Sequence, residues 1–211
     1  MRYETIIFDL DGTISDPFVG ISRSINHALE KLGFEPVDPE RVRPLIGPPL
    51  TEIFEHFLGS LPVPQMEQLI DHYRDRYGRI GYRENRIYDE IPDVVARLAG
   101  NGCTLGVCTS KRGDYAFRII EMFGLAPHFS FVDGGAGMDK RRQIAQLVRN
   151  GLKAETAIMI GDRAVDIIAG NSNDLSSAGV LWGFGDKKEL EGANPDHILA
   201  CPAELPPLLL E

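Results

Sequence analysis

The sequence predicts an α/β fold: a parallel sheet covered by helices on both faces, with a smaller, all-helical segment inserted into the chain. Two patterns carry this prediction. Short apolar runs that stop at glycine or polar residues alternate along most of the chain with stretches of helical periodicity. Between residues 16 and 85, by contrast, the apolar spacing is helical throughout. Alternating strands and helices are typical of a parallel sheet, whose ligands bind beyond the carboxyl ends of the strands.

The predicted strands are short apolar runs bounded by turn-forming residues. The first covers residues 5–10 and leads into an Asp-Gly pair, which is typical of a turn. Four similar runs follow, at residues 104–108, 129–132, 157–160 and 178–182. Helical stripes closed by a glycine separate these runs: Val94, Val95 and Leu98 before Gly100; Ala116, Ile119, Ile120 and Phe123 before Gly124; and Ile144, Leu147 and Val148 before Gly151.

Three further apolar stripes of helical spacing fill the segment that breaks the alternation. Their members are Phe18, Ile21, Ile25, Leu29 and Leu32; Leu50, Ile53, Phe54 and Phe57; and Met66, Leu69, Ile70 and Tyr73. Because these stripes follow the first predicted strand, they predict a small helical bundle inserted there. The predicted domains are therefore a core of residues 1–15 and 86–211 and a helical domain of residues 16–85.

Charge and hydropathy exclude two classes of partner. The 22 Lys and Arg residues are outnumbered by 31 Asp and Glu residues, and no long basic stretch offers a path for nucleic acid. No apolar run approaches the roughly 18 residues of a membrane span. The three cysteines, Cys103, Cys108 and Cys201, form no CxxC pair. Reduced thiols and a cytoplasmic location are expected.

Carboxylates follow two of the predicted strands. Asp9 and Asp11 flank one residue at the end of the first strand, and like charges so close require a compensating cation. Asp162 and Asp166 come after the fourth strand, one helical turn apart, so they can face the same side. Oxygen ligands of this kind suit a hard ion such as Mg²⁺, which leaves room for phosphate oxygens.

Each of these signals is weak when it stands alone. An Asp at a strand end is usually a turn former, and a Lys beside Arg141 and Arg142, as Lys140 is, commonly faces solvent. The joint pattern is more specific, because its members follow predicted strands in a fixed order. They are DxDGT at residues 9–13, Thr-Ser-Lys at residues 109–111, Lys140 opening a later helix, and GDxxxD at residues 161–166.

In this order the four segments resemble the motifs of the haloacid dehalogenase superfamily, and the resemblance covers essentially the whole chain. It implies a Rossmann-like, doubly wound core, a mobile helical cap and a Mg²⁺-dependent phosphatase. Its substrate would be a small phosphate ester, attacked by a carboxylate that splits hydrolysis into two steps. The cap would close over the site and exclude water.

The resemblance also implies a role for each motif residue. Asp9 would be the nucleophile, and Asp11 would protonate the leaving oxygen and activate water. Asp9 and Asp162 would bind the metal, with Asp11 helping through its backbone carbonyl and Asp166 acting directly or through a water. Phosphoryl oxygens would be held by Thr109, Ser110 and Lys140, the last of which would also offset negative charge.

The sequence departs from the family pattern at two places. The lysine is usually followed by a proline, which Arg141 and Arg142 replace here, and the preceding loop of residues 134–137 is short. Arg163 stands where Ser or Thr is common, although some nucleotidase-like members carry Arg. The Trp-Gly-Phe-Gly stretch of residues 182–185 is expected to have a packing role.

The nearest likeness is to the phosphoglycolate phosphatase and 5′-nucleotidase-like group, and the choice between these substrates stays open. Gly47, Pro48 and Pro49 in the predicted cap lean toward the nucleotidase-like members and are expected to influence specificity. A sugar phosphomutase of the β-phosphoglucomutase type is the alternative enzyme. A phosphoaccepting receiver module is a second alternative, but such modules are shorter and lack a final GDxxxD. A monomer or a homodimer is expected.

Overall fold

The computed structural model describes residues 2–135 and 138–211, so Ala136 and Gly137 of the short loop before Lys140 lie outside the described residues. The chain divides into two compact units. The core unit comprises Met1–Asp16 and Ile87–Glu211, and the helical unit comprises Pro17–Arg86. The interpretation of the helical unit as a mobile cap stays a prediction.

In the described part of the chain, the core unit contains a six-stranded, all-parallel sheet with the strand order β5-β4-β1-β6-β7-β8. Two further short strands, β2 and β3, pair with each other. The strands are β1 (Thr5–Phe8), β2 (Ser15–Asp16), β3 (Arg86–Ile87), β4 (Thr104–Thr109), β5 (Phe129–Gly134), β6 (Ala157–Gly161), β7 (Ser176–Val180) and β8 (His197–Leu199).

Helices connect the strands of the core unit and make up most of the helical unit. Those of the helical unit are α1 (Phe18–Lys31), α2 (Pro39–Val42), α3 (Leu50–Leu58) and α4 (Val63–Arg79). Those of the core unit are α5 (Ile91–Gly100), α6 (Gly113–Met122), α7 (Lys140–Arg149), α8 (Ala164–Asn171), α9 (Lys187–Gly192) and α10 (Leu205–Leu210). None of the described helices combines the length and the apolar content that crossing a membrane requires.

The central strands are apolar because the sheet is covered on both faces. Ile6, Ile7 and Phe8 of β1 have no exposed surface, and all five residues of β6 are buried. The register pairs Phe8 with Val107 of β4 on one side and with Ile160 of β6 on the other. The carboxyl ends of these three strands therefore lie at one edge of the sheet, which is where the predicted site residues follow.

The predicted α/β fold class is confirmed, and the structure corrects several details of the strands. The fifth predicted strand, residues 178–182, is observed as Ser176–Val180, and the short strands β2 and β3 were not predicted. The first strand ends at Phe8 instead of residue 10, because the Leu10 carbonyl accepts backbone hydrogen bonds from Thr13, Ile14 and Ser15 and so closes a turn. Leu10 is apolar because it is buried in that turn. Strand β8 was not predicted, since three residues at the sheet edge leave no clear apolar run.

Close backbone packing characterises the helical unit. Helix α1 packs on α4, and Gly20 of α1 lies so near Gly81 that a Cβ built on Gly20 would be 2.1 Å from the Gly81 carbonyl oxygen. Arg76 of α4 donates to Ser24 Oγ at 3.1 Å and pairs with Glu84 at 2.9 Å. Gly20 thus allows α1 to lie directly against the backbone at Gly81, which follows α4.

This contact predicts the effect of one methyl group on stability. We expect Gly20→Ala to lower the free energy of unfolding by about 1–3 kcal/mol, because the rigid Gly81 backbone cannot move aside. The matched control is Gly100→Ala at the end of α5, where a Cβ would meet nothing within 4 Å. The control should be neutral or stabilising by up to about 1 kcal/mol. Equal stability of the two variants in urea denaturation would contradict the packing argument.

Candidate active site

Asp9 and Asp11 follow β1 at the edge of the sheet. The Asp9 N–H donates to the Ile160 carbonyl at 2.8 Å, so Asp9 continues the pairing with β6 although the strand ends one residue earlier. Its side chain is buried, and that of Asp11 is largely buried. The chain then turns through Gly12, which has a φ of 88°. The turn places two acidic side chains within three residues at the end of a buried strand.

Asp162 and Asp166 come from the neighbouring strand and the helix after it. Asp162 follows β6 directly, and Asp166 lies in the first turn of α8, where its Oδ2 accepts the Arg163 N–H at 3.0 Å. Both side chains have no exposed surface. A Cβ on Gly161 would lie 2.2 Å from Asp166 Cγ, so the last residue of the strand must be a glycine for the helix to begin this closely.

The Asp162 carboxylate is held by residues far away in the sequence. Phe184 N–H donates to its Oδ2 at 2.8 Å, and Thr13 Oγ1 donates to its Oδ1 at 3.4 Å. Trp182 Nε1 in turn donates to the Thr13 carbonyl at 3.0 Å. The segment after β7, for which the sequence suggests only packing, therefore also orients a site carboxylate, and its apolar side chains gave no sign of this backbone contact.

Glycines allow this segment to lie against the site. A Cβ on Gly12 would be 2.1 Å from Asp162 Oδ2, and a Cβ on Gly183 would be 2.4 Å from the Gly12 carbonyl oxygen. Neither position has space for a side chain. The DxDGT segment, the Asp162 side chain and the loop after β7 are consequently in direct contact.

Lys140 lies at the start of α7 and reaches two of the carboxylates. Its Nζ is 2.9 Å from Asp9 Oδ1, and it also forms an ion pair and hydrogen bond with Asp166 Oδ1. The Lys140 side chain is buried, and Asp139 caps the helix by accepting the Arg141 N–H at 2.9 Å. The structure thus brings together Lys140 and the acids that the sequence predicts around it, and the departures at Arg141 and Arg142 do not displace it.

Thr109 is the last residue of β4 and is buried at the same edge of the sheet. Its Oγ1 accepts the Lys111 N–H at 3.3 Å, while its carbonyl accepts the Gly135 N–H at 2.7 Å. Ser110 follows it and is exposed. Two of the three residues that are predicted to bind phosphoryl oxygens, Thr109 and Ser110, therefore lie where β4 ends, and the third, Lys140, begins α7.

Lys111 is a site residue whose contact was not predicted, although it belongs to the Thr-Ser-Lys segment. Its Nζ lies 2.7 Å from Asp11 Oδ2, and the two side chains are 9% and 15% exposed. The sequence shows the lysine but not its partner, because the two residues are 100 positions apart and meet only through the pairing of β4 with β1.

Gly47, Pro48 and Pro49 belong to the helical unit. Gly47 has a φ of 121°, and Pro49 is the residue before α3. The loop lies between a short 3₁₀ turn, Arg43–Leu45, and that helix. Its predicted influence on specificity stays a prediction.

Electrostatics favour a cation at this site. Asp9, Asp162 and Asp166 each offer an oxygen ligand, and these atoms lie within 4.8 Å of one another. Burial and the negative charges of Asp166 and Asp9 raise the pKa of Asp162. Burial likewise raises the pKa of Asp166, although Lys140 opposes that effect. Three buried carboxylates with oxygen-only chemistry therefore fit a hard divalent ion.

Burial and nearby charges also shift the pKa values of Lys140 and Asp11. Burial disfavours the charged form of Lys140, but the carboxylates of Asp166 and Asp9 outweigh burial and raise its pKa. Burial raises the pKa of Asp11, and the nearby Lys111 partly offsets this. Lys140 therefore stays charged in the site, and burial favours the protonated form of Asp11.

The sequence matches the profile of the haloacid dehalogenase-like hydrolase family over residues 6–180. A 5′-nucleotidase of Pseudomonas aeruginosa is 39% identical over 210 residues, which cover 97% of this chain and 95% of that relative. A phosphoglycolate phosphatase of Agrobacterium fabrum is 28% identical over 214 residues, with 97% of this chain and 91% of the relative covered.

Solved structures agree with the sequence relatives. The crystal structure of a predicted phosphatase from Clostridium acetobutylicum has a TM-score of 0.90 and 33% sequence identity, and the match covers 100% of this chain and 99% of that one. The two chains therefore share one fold over essentially their full lengths. With a family profile that spans most of its residues, this chain belongs to the haloacid dehalogenase-like hydrolase family.

Proposed function

We propose that this hydrolase is a Mg²⁺-dependent phosphomonoesterase that transfers the phosphoryl group of a small ester to Asp9 and then to water. The observation that carries the proposal is the contact of the buried Lys140 with both Asp9 and Asp166. Such a site offers a nucleophilic carboxylate, a fixed positive charge and oxygen ligands for a metal. Phosphoryl transfer requires mainly positioning and charge stabilisation of this kind.

Each residue has one task in the proposed first step. A carboxylate oxygen of Asp9 bonds to phosphorus while the bond between phosphorus and the ester oxygen breaks. Asp11 gives its proton to that departing oxygen, so the leaving group departs as a neutral alcohol. Thr109 and Ser110 hold phosphoryl oxygens, and Lys140 offsets the negative charge shared by Asp9 and the phosphoryl group.

In the second step, a water oxygen bonds to phosphorus and the bond to Asp9 breaks. Asp11, now ionised, takes a proton from that water and returns to its starting state. Asp9, Asp162 and Asp166 would hold Mg²⁺, with the Asp11 carbonyl as a further ligand, and the ion would neutralise charge on the phosphoryl oxygens.

A nucleoside 5′-monophosphate is the favoured substrate, and phosphoglycolate is the second candidate. The relative named a 5′-nucleotidase is 39% identical over 97% of this chain, whereas the phosphoglycolate phosphatase is 28% identical over the same share. A phosphate-release screen over nucleoside monophosphates, phosphoglycolate and sugar phosphates tests this choice. Isomerised sugar phosphate without phosphate release would instead identify a phosphomutase.

The nucleophile can be tested by an isosteric change. We expect Asp9→Asn to lower kcat by several orders of magnitude, since it removes the attacking carboxylate without changing its size. The control is Asp93→Asn, at an exposed position of α5, which should leave kcat unchanged. Circular dichroism should show the same fold for both variants. Phosphate release by Asp9→Asn at a rate near that of the unmodified protein would refute the role of Asp9.

The metal can be tested through stability. Because burial and like charges raise the pKa values of Asp162 and Asp166, the metal-free protein loses stability as pH rises from the usual carboxyl pKa through these raised values. Mg²⁺ must displace the protons retained at low pH, so its stabilising effect should grow over the same interval. We expect Mg²⁺ to raise Tm more at about pH 8 than at about pH 5.

The control for this measurement is Asp162→Asn, in which the dependence of the Mg²⁺ effect on pH should largely disappear. The same increase in Tm at both pH values in the unmodified protein, or no increase at either, would contradict the proposed metal site. Thermal unfolding in chelator and in excess Mg²⁺ provides the comparison.

The helical unit can be tested as the source of specificity. We propose that the loop of Gly47, Pro48 and Pro49 selects the ester, because the predicted catalytic residues all belong to the core unit. Replacing both prolines by alanine should lower kcat/KM for the best natural ester more than for an aryl phosphate, which needs little remote binding energy. Pro64→Ala, at an exposed proline of α4, is the control. Equal losses on the two substrates would remove this role from the loop.

A further inference from the structure

The ion pair of Lys111 with Asp11 is not explained by the roles assigned so far. Lys111 Nζ lies 2.7 Å from Asp11 Oδ2, and both side chains are largely removed from water. Ion pairs that are shielded in this way keep a defined geometry, whereas exposed pairs are screened and mobile. Lys140 contacts Asp9 and Asp166, so the two lysines of the site serve different carboxylates.

The backbone of Lys111 is fixed by its neighbours in the core unit. Its N–H donates to Thr109 Oγ1 at 3.3 Å. A Cβ on Gly134 would lie 2.8 Å from the Lys111 carbonyl oxygen, so the end of β5 lies directly against this turn. The next residue, Arg112, forms a β-bridge with Gly135. Lys111 is therefore presented to the site from a turn that is tied to the ends of two strands.

The two oxygens of Asp11 differ in their surroundings. Oδ2 contacts Lys111, whereas Oδ1 is buried and has no hydrogen-bond partner among the described residues. The Asp11 backbone is itself held by a β-bridge to Ser15. Because Lys111 holds Oδ2, the proton is exchanged at Oδ1, which has no hydrogen-bond partner in the described part of the chain. The direction of proton transfer is then defined.

We propose that Lys111 is a positioning residue that holds Asp11 by Oδ2, so that Oδ1 delivers the proton to the leaving oxygen and takes it from the attacking water. This inference rests on the proposed phosphatase reaction. Lys111 acts through Asp11 and does not bind the transferring phosphoryl group. Its importance should therefore depend on how strongly the leaving group needs a proton.

The test is the dependence of kcat/KM on the leaving group in Lys111→Met. Adenosine 5′-monophosphate and phenyl phosphate have poor leaving groups that need a proton, whereas p-nitrophenyl phosphate has a good one that does not. We expect kcat/KM to fall about 100-fold for the first two, within the range that general acid catalysis contributes, and less than about 3-fold for p-nitrophenyl phosphate. Since kcat/KM reports the steps up to phosphorylation of Asp9, this split isolates proton delivery.

The second step gives an independent readout on the same variant. Hydrolysis of the phosphorylated Asp9 needs Asp11 as a base whatever the ester was, so kcat for p-nitrophenyl phosphate should fall although kcat/KM does not. A burst of p-nitrophenol followed by slow turnover should then appear in Lys111→Met. A lysine that merely supported the fold would lower both parameters together.

Two controls define what would overturn the inference. Lys153→Met removes an exposed lysine of the core unit, paired with Glu4, and should change neither parameter. In an Asp11→Asn background, Lys111→Met should add little on phenyl phosphate, because both changes remove one function. Equal losses on all three esters, or fully additive losses in the double variant, would show that Lys111 does not act through Asp11.

The role of Lys111 and the phosphatase reaction can be refuted separately. If the unmodified protein released no phosphate from any of the three esters, the phosphatase reaction itself would be refuted. If the unmodified protein were active and Lys111→Met showed no split between esters, only the role of Lys111 would be lost. Should Lys111→Met fold poorly by circular dichroism, Lys111→Gln, which also removes the charge, replaces it in the same series.

Discussion

The site depends on one electrostatic constraint: several carboxylates are buried together, and their mutual repulsion must be balanced. The oxygens of Asp9, Asp162 and Asp166 lie within 4.8 Å of one another, where the low polarity of the interior strengthens repulsion. Lys140 compensates part of this charge through two contacts. Burial, together with the repulsion that Lys140 leaves uncompensated, raises the pKa values of Asp162 and Asp166, and a divalent cation fits among these carboxylates.

Backbone geometry makes this crowding possible. The ends of β1, β4 and β6 align because their register is in step, so residues from three separate segments reach one edge of the sheet. Gly12, Gly161 and Gly183 then leave no room between the backbone and the carboxylates. Side chains at these positions would push the acids apart, and the displaced carboxylates would lose their contacts with Lys140. Packing and charge balance are therefore parts of a single arrangement.

Much of this arrangement could be predicted from the sequence. The alternation of strands and helices predicts the parallel sheet, and acids that follow its strands must lie near one another at its carboxyl edge. Asp9, Asp162 and Asp166 were found in this way, because their positions depend on local patterns and on a general rule of topology. Lys140 required the resemblance to a family, since an isolated lysine near two arginines has no local signal of burial.

The features that escaped prediction depend on contacts between distant residues. The partnership of Lys111 with Asp11, and the support of Asp162 by the Phe184 amide, join segments that are 100 and 22 positions apart. Neither contact leaves a periodic trace in the sequence, and the second involves a backbone group that any residue could supply. Strand β8 was missed for a different reason, because three residues at an edge are too few for a pattern.

If Asp9 carries the phosphoryl group between the two steps, a rapid acid quench of the protein during turnover of p-nitrophenyl phosphate should trap it there. Acid preserves an acyl phosphate long enough for proteolysis and mass spectrometry to locate it. We expect one phosphoryl group on the peptide that contains Asp9, and we expect hydroxylamine to remove it. Phosphate release without any phosphorylated protein, or with the phosphoryl group on another residue, would show that Asp9 is not the nucleophile.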